Sequence, residues 1–211
     1  AMFKGYAQQI EDMIGGKVIR YYFDGGRIAG YDDITPDYSG RHTTEYVDHG
    51  FGGICSCKSK PGLLVCSTLC IEANCSETVY ISEDYGNTWR VSLCGLEVGG
   101  IHFRTSYMLP KYNGNHSLLH WLSDVKIDPF NPNKLWFNSG TGVFTTDALL
   151  SENPAYHDWC DGIEETVHLN VYAPLSGDVQ LVDIVGDLGG FAFRDLDKPC
   201  DNSFDDENGN R

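Results

Sequence analysis

The stretch Ser82-Glu-Asp-Tyr-Gly-Asn-Thr-Trp89 decides the fold. It matches the Asp-box motif, Ser-x-Asp-x-Gly-x-Thr-Trp, at every fixed position. The side chains of Ser82 and Asp84 can bond to the backbone of a turn, and Gly86 permits a positive φ. Trp89 supplies a ring that packs between adjacent sheets. We therefore predict that this stretch builds a hairpin turn and is structural rather than catalytic.

Short runs of β-forming residues surround the Asp-box and are separated by Gly, Pro, Asn and Asp. This spacing is typical of repeated four-stranded meanders, so the predicted fold class is all-β, with Asp-box β-propeller blades. One full blade is expected at about residues 50–94 and a second near 121–160, with partial blades at both ends. These blades are too few to close a ring, which predicts a partial propeller and a chain that is a fragment.

Charge and hydropathy narrow the range of partners. The chain has 211 residues, with 15 basic and 30 acidic side chains and a net charge of −15. The electrostatic field of this negative charge repels phosphate backbones and anionic lipids, so neither nucleic acid nor a membrane is expected as a partner. No apolar run approaches the roughly 20 residues that a membrane span needs. Neutral carbohydrate and basic protein remain as candidate partners.

The eight cysteines favour a secreted, extracellular protein. Cys55 and Cys57 share one side of a predicted strand, and the turn at residues 61–62 leads the chain back through Cys66. We predict a disulfide from this pair to Cys66, and the alternative is that these cysteines are small buried apolar residues. No metal or other cofactor is predicted, and zinc is disfavoured because the chain has no Cys-x-x-Cys pair.

Four stretches, taken in order, resemble glycoside hydrolase family 74, the xyloglucanases and reducing-end-specific oligoxyloglucan cellobiohydrolases. The resemblance extends from about Lys17 to Pro199. The stretches are residues 50–54 followed by 61–65, the Asp-box, residues 127–133 followed by 140–142, and residues 162–166 leading to Gly186-Asp-Leu-Gly-Gly-Phe191.

The resemblance implies both the domain organisation and the activity. The family is built from two tandem propellers, so residues 1–160 would be the last blades of the first propeller and residues 161–211 the opening segment of the second. The remainder of the tandem propeller is the implied protein partner. The implied activity is inverting hydrolysis of the β-1,4-glucan backbone of xyloglucan. The family's general base lies in an Asp-x-Gly-Gly setting near the start of the first propeller, which is absent here, so the isolated chain is expected to be inactive.

The Gly-Asp-x-Gly-Gly-Phe segment of that family bears the general acid, which the resemblance maps onto Asp187. The residues themselves fit this role, because residues 182–185 form a strand of buried character and Asp187 follows where that strand ends. Gly189 and Gly190 have no side chains, so we predict that the backbone there approaches a sugar ring closely and helps to bind substrate.

The neighbours of Asp187 also favour a proton donor. Ile184, Val185 and Leu188 are apolar, and partial desolvation of a carboxyl group favours its neutral form. The alternative is a turn carboxylate that caps the two glycines. Asp183 is a second candidate, and we rank it below Asp187 because it lies in the middle of the strand.

A β-1,4-glucan cleft needs aromatic platforms and polar side chains that bind hydroxyl groups. Trp121 is the best platform candidate, since the family has Trp at the same place before Ile-Asp-Pro-Phe, and His120 could bond a sugar hydroxyl. The alternatives are packing between blades for Trp121 and an ordinary surface position for His120. Many family members have a Trp-Trp pair where residues 70–75 lie here, so endo or exo cleavage stays open.

Two other classes of Asp-box protein compete with the hydrolase interpretation. In a non-catalytic propeller like that of sorting receptors, the boxes are scaffold and a loop or tunnel binds peptide or glycan. That class has no reason to place Asp187 before two glycines. Sialidases need three arginines and a Tyr nucleophile, and the scarcity of basic residues disfavours them.

Overall fold

The computed structural model describes residues 16–37, 50–69, 77–94, 100–102, 122–140, 142–163, 167–186, 189–200 and 204. Within these ranges the chain forms fourteen strands and no helix. The strands are β1 (Ile19–Asp24), β2 (Arg27–Asp33), β3 (Gly50–Ser56), β4 (Leu64–Leu69), β5 (Thr78–Ser82), β6 (Arg90–Cys94), β7 (Gly100–His102), β8 (Asp124–Ile127), β9 (Leu135–Ser139), β10 (Gly142–Thr146), β11 (Ala155–Asp158), β12 (His168–Tyr172), β13 (Leu181–Val185) and β14 (Gly189–Phe193).

The strands form four separate sheets, with orders β1-β2, β3-β4-β5-β6, β7-β11-β10-β9-β8 and β12-β13-β14. The prediction of an all-β fold is therefore confirmed. The described residues contain no helix with the length and apolar character that a membrane crossing requires. The chain divides into two compact units between His157 and Asp158. The first three sheets belong to one unit and the sheet of β12 to β14 to the other.

The four-stranded sheet is the blade predicted at residues 50–94. Its four strands run antiparallel in chain order, as a propeller meander does. All five residues of β5 are buried, and β4 is buried over Val65–Thr68. A strand that is covered on both faces has a continuous run of apolar or small residues in its sequence, whereas a strand with one exposed face alternates apolar and polar residues. The blade is therefore an interior layer with neighbours on both faces.

The hairpin of β1 and β2 closes one side of this blade. Gly25 and Gly26 make its turn with φ of 53° and 80°, the positive values that a two-residue hairpin turn of type I′ requires. At its open end, Val18 and Ile34 are joined by a backbone hydrogen bond of 2.9 Å. Both side chains are buried in one core cluster with residues of the blade, including Phe51.

The Asp-box forms the turn that the sequence predicts, between β5 and β6. The Ser82 hydroxyl accepts hydrogen bonds from the amides of Asp84 (3.3 Å) and Gly86 (2.8 Å) and donates one to the Asp84 carboxylate (2.8 Å). That carboxylate also accepts from the amide (2.8 Å) and the hydroxyl (2.6 Å) of Thr88. Gly86 has a φ of 87°. The side-chain oxygens of Ser82 and Asp84 thus form their hydrogen bonds within the turn, as a structural role requires.

Trp89 connects the Asp-box to the neighbouring hairpin. Its indole nitrogen donates to the carbonyl oxygen of Ile34 at 2.7 Å, and its ring packs against the core cluster that contains Ile34. A Cβ atom at Gly86 would lie 2.6 Å from Cδ1 of Ile34, so a residue with a side chain would displace it. The box therefore fixes both a turn and the packing of one sheet on the next.

Replacing Asp84 with alanine is expected to lower the melting temperature of the full-length protein at neutral pH. Hydrogen bonds from the hydroxyl and amide of Thr88 and from Ser82 hold the pKa of the Asp84 carboxyl at about 2, below its ordinary 3.8. Because the folded-state pKa is the lower one, this carboxylate stabilises the fold above about pH 4, and the contribution disappears as the pH falls towards about 2. The difference in melting temperature between wild type and Asp84→Ala should therefore become smaller as the pH falls from about 4 to about 2.

The measurement is thermal unfolding at a series of pH values. Asp147→Ala is the matched control, because Asp147 is an exposed carboxylate in a surface ion pair with Lys134, and such pairs contribute little. A gap between wild type and Asp84→Ala that stayed constant down to the lowest pH would contradict the prediction.

The five-stranded sheet contains the second predicted blade. Strands β8 to β11 form it, and β7 pairs in parallel with β11 at the outer edge. Its core stacks Phe137 on Phe144 with ring centroids 5.2 Å apart, and Tyr156 lies 5.7 Å from Phe137. The Tyr156 hydroxyl is buried and lies 2.7 Å from the Ser92 hydroxyl of the first blade. Strands β6 and β11 are thus joined by a buried hydrogen bond between the two blades.

The inner strands of the two blades meet at two glycines. A Cβ atom at Gly52 of β3 would lie 1.7 Å from the carbonyl oxygen of Leu122, and one at Gly53 would lie 2.6 Å from the amide nitrogen of Val125. The Ser67 hydroxyl joins the same contact, accepting from the amide of Gly53 (3.1 Å) and donating to the carbonyl of Leu122 (3.3 Å). Backbone therefore packs directly on backbone between the blades, which only glycine allows.

The predicted disulfide to Cys66 is wrong. Cys66 pairs with Ile54 across the β3–β4 ladder, whereas Cys55 pairs with Val65. Paired residues share a face and successive residues alternate, so Cys66 lies on the face opposite to Cys55 and Cys57. All three thiols are free. Burial raises the pKa of the Cys55 thiol to about 11, which keeps it protonated at neutral pH. The alternative, small buried apolar residues, describes Cys57 and Cys66.

Candidate functional site

Only part of the predicted site lies in the described residues. Asp187, Trp121 and His120 lie outside them, so their roles stay predictions. Gly189 and Gly190 are described, and they begin strand β14. The structural account of the site therefore rests on the sheet of β12, β13 and β14.

This sheet is antiparallel throughout, with β13 in the middle. Val185, the last residue of β13, pairs with Gly189, the first residue of β14, so residues 186–188 connect the two strands. The amide of Gly186 donates to the carbonyl of Val167, just before β12, at 2.8 Å. Hydrogen bonds among all three strands thus hold the end of the sheet where residues 186–188 connect β13 to β14.

The two predicted glycines are held by the protein's own chain. Gly189 has a φ of 80°, which side chains disfavour. A Cβ atom at Gly190 would lie 2.5 Å from the carbonyl oxygen of Asp183 and 2.9 Å from the ring of Phe204. The amide of Phe204 also donates to the carbonyl of Gly190 at 2.8 Å. Both positions therefore require glycine for conformation or packing, and their contact with a sugar stays a prediction.

The surroundings of the strand end are only partly apolar. Val185 is buried in a core cluster with Phe191 and Cys200, whereas Ile184 is 38% exposed. Both residues were expected to desolvate a nearby carboxyl group. Val185 lies in the interior, as expected, but Ile184 does not. Leu188 lies outside the described residues.

Asp183 has a specific partner that sequence analysis missed. Its side chain is 11% exposed, and its two carboxylate oxygens lie 3.0 and 2.8 Å from Nδ1 of His168. The side chain of His168 is 56% exposed. The signal that could have found the pair is the strand Leu181-Val-Asp-Ile-Val185, where Asp183 interrupts the alternate positions occupied by Leu181 and Val185.

Two further acidic residues, Asp195 and Asp197, lie in a turn beyond β14. Asp195 pairs with Lys198 at 2.7 Å and accepts from the amide of Asp197 at 3.0 Å. The hydrogen bond from Lys198 is the main cause that lowers the pKa of the Asp195 carboxyl. These contacts are those of an exposed turn. No group of three or more residues able to bind a metal ion occurs in the described part of the chain.

The curated proteins to which the chain is similar are xyloglucanases. No protein-family model matches the chain. The chain is 26% identical over 207 residues to the "Probable oligoxyloglucan-reducing end-specific xyloglucanase" of Neosartorya fischeri, covering 80% of this chain and 25% of that protein. It is 28% identical over 186 residues to a xyloglucanase of a Paenibacillus species, covering 75% of this chain and 17% of that protein.

Among solved structures, the chain is similar to the glycoside hydrolase family 74 xyloglucanase of Xanthomonas campestris. The TM-score is 0.65 at 24% identity, with 83% of this chain and 24% of that one covered. The predicted resemblance and the β-propeller fold are therefore confirmed. The chain spans a quarter or less of the length of these curated relatives.

Proposed function

We propose that this chain is part of an inverting glycoside hydrolase that cleaves the β-1,4-glucan backbone of xyloglucan, with Asp187 as general acid. The similarity to xyloglucanases over most of the chain is the observation that carries the proposal. The local geometry supports it, because the two strands that flank residue 187 end in one fixed hairpin. Active-site residues commonly lie on short connections held by rigid strands.

In the proposed reaction Asp187 donates its proton to the glycosidic oxygen as the bond to the anomeric carbon breaks. A second carboxylate, roughly 6.5–9.5 Å away, takes a proton from a water molecule that attacks the opposite face of the sugar. The bond to the leaving glucose residue is replaced by a bond to water, so the β-linkage yields an α-anomer. Asp187 ends the step ionised and regains its proton from solvent.

Four residues are proposed to bind the substrate. Trp121 is proposed as a stacking platform for a glucose ring and His120 as a hydrogen-bonding partner for a hydroxyl group. Gly189 and Gly190 are proposed to leave room for the sugar beside the backbone. We also propose that the protein is secreted, because a polysaccharide of this size has to be cleaved where it lies, outside the cell.

The proposal is tested by incubating the full-length protein with xyloglucan and following the products by proton NMR. We expect reducing ends to appear first as the α-anomer, before mutarotation equilibrates them. A β-anomer appearing first would contradict inversion. No new reducing ends, with xyloglucan still bound, would favour the non-catalytic binding propeller instead.

A further inference from the structure

We propose that the β1–β2 hairpin carries an interaction surface for a further apolar β-sheet of the full-length protein, outside these 211 residues. The surface, which we call the outer face, consists of the side chains of Tyr21, Phe23, Ile28 and Tyr31. The inference goes beyond the proposed function and rests on one part of it, that the chain belongs to a longer protein. It concerns how the protein assembles and not how it cleaves a substrate.

The opposite face of the hairpin is already in contact with the four-stranded blade. Val18 and Ile34 are buried in the core cluster that the hairpin shares with the blade, and the Trp89 ring packs against it. Further along the hairpin, the Arg20 guanidinium donates to the carbonyl oxygen of Tyr85, in the Asp-box turn, at 2.7 Å. Because side chains alternate along a strand, the residues next to Val18 and Arg20 point away from the blade.

The outer face consists of side chains that pair directly across the ladder. Tyr21 pairs with Tyr31, and their ring centroids lie 6.0 Å apart. Phe23 pairs with Ile28, because a β-bulge shifts the register just before Phe23. In a regular ladder Phe23 would pair with Ala29, and Ile28 would point towards the blade. The bulge therefore adds a large apolar side chain to the outer face.

The outer face has the composition of an interior layer and the exposure of a surface. Its four residues are each 51–68% exposed, and none of them carries a charge. Contiguous exposed apolar surface marks an interaction site. A structural repeat cannot bury its apolar faces alone and does so by stacking on a neighbour at each side. The hairpin has such a neighbour on one side, so the outer face is fitted for a second one.

Charge and ring geometry disfavour two other partners. A second copy of this chain would bring together two molecules that each have a net charge of −15, and like charges repel. A glucan chain needs flat aromatic platforms, but the rings of Tyr21 and Tyr31 are inclined to each other by 48°. A face with rings at such different angles is filled better by the interdigitating side chains of another sheet, about 10 Å away.

The comparisons leave ample chain to supply that sheet. The matched regions span 25% and 17% of the two xyloglucanases, so proteins of this kind are several times longer than the part that resembles this chain. The expected partner is a sheet that presents apolar side chains to Phe23 and Tyr31. An unpaired charge there would be buried against the two rings at a cost in free energy.

The test is hydroxyl-radical footprinting of the full-length protein, read by mass spectrometry. Phe130, which is 92% exposed in the turn after β8, is the matched control for Phe23, and Tyr85, at 55%, is the control for Tyr31. We expect Phe23 and Tyr31 to be oxidised several-fold more slowly than their controls, because a covered ring does not meet the radical. A rate for either residue equal to that of its control would overturn the proposal.

Two changes of conditions identify what covers the outer face. Protection that disappears on dilution, while a dimer dissociates in size-exclusion chromatography, would assign the face to a second copy and overturn the proposal. Protection that appears only after xyloglucan is added would assign it to a sugar and would also overturn it. Protection that is the same in every condition supports a sheet of the same protein.

A substitution checks the same contact through stability. Phe23→Ser in the full-length protein should lower the melting temperature by about 5 °C or more, because a buried ring is lost, whereas Phe130→Ser should match wild type. Equal melting temperatures for Phe23→Ser and wild type would count against the contact. If Phe23→Ser does not fold, footprinting of wild type decides alone.

Neither measurement depends on catalysis, so the two proposals fail separately. If wild type hydrolyses xyloglucan and the outer face is oxidised as fast as the controls, only this inference fails. If wild type has no activity but Phe23 and Tyr31 are protected in every condition, the inference stands and the proposed function fails.

Discussion

Replacing Asp187 with alanine in the full-length protein is expected to lower kcat on xyloglucan by about 10²- to 10⁴-fold, the usual worth of a general acid. The leaving group would have to depart as an alkoxide, which is a strong base and therefore a poor leaving group. KM should change little, because the proton is transferred only in the transition state. The measurement is initial-rate kinetics on xyloglucan at several pH values, where the variant should also lose the basic limb of the kcat profile.

Two comparisons make this expectation specific to proton donation. An aryl glycoside with an acidic phenol as leaving group needs little protonation, so Asp187→Ala should keep far more of its rate on such a substrate than on xyloglucan. Asp195→Asn is the matched control, because Asp195 is an acidic residue of an exposed turn beyond β14 and pairs with Lys198. Equal losses on both substrates, or a full rate on xyloglucan in Asp187→Ala, would reject the acid assignment.

The sequence predicted those features that depend on local geometry. Ser82, Asp84 and Gly86 stand at fixed positions in the Asp-box, and each makes the turn contact expected of it. The two full blades were predictable for the same reason, because a four-stranded meander consists of strands and turns that follow one another along the chain. Such patterns are read directly from the chain.

Features that depend on register were not predictable. The spacing of Cys55 and Cys66 fits a disulfide, but the β3–β4 ladder puts these two thiols on opposite faces. His168 was missed for a related reason, because a bulge in β12 changes which face its side chain occupies. A shift of one residue exchanges the faces of a strand, and neither a bulge nor a register is visible in composition or periodicity.

Contacts between blades form a third class, and sequence analysis missed them as well. Gly52 and Gly53 lie inside β3, where isolated glycines weaken a strand, and the sequence alone shows no physical reason for them. The reason lies about 70 residues away in the chain, in the backbone at Leu122 and Val125. Such a requirement becomes visible only when the neighbouring blade is in place.

Gly52→Ala is accordingly expected to be among the most destabilising single substitutions in the chain, at about 3 kcal/mol or more. The added Cβ atom would lie 1.7 Å from the carbonyl oxygen of Leu122 and 2.8 Å from its carbonyl carbon. A flexible side chain could rotate away, but these are backbone atoms, so the two blades must separate. Separation would also lengthen the hydrogen bond from Ser67 to the same carbonyl.

The measurement is thermal unfolding of the full-length protein, with Gly30→Ala as the matched control. Gly30 also lies within a strand, and the nearest atom to its added Cβ, on the Tyr22 ring, is 3.9 Å away, which is ordinary contact. Gly30→Ala should therefore unfold close to wild type, while Gly52→Ala should unfold about 6–12 °C lower. Equal melting temperatures for the two variants would mean that β3 does not pack on the backbone at Leu122. The blades would then have to be held together by side chains alone, such as the buried contact between Ser92 and Tyr156.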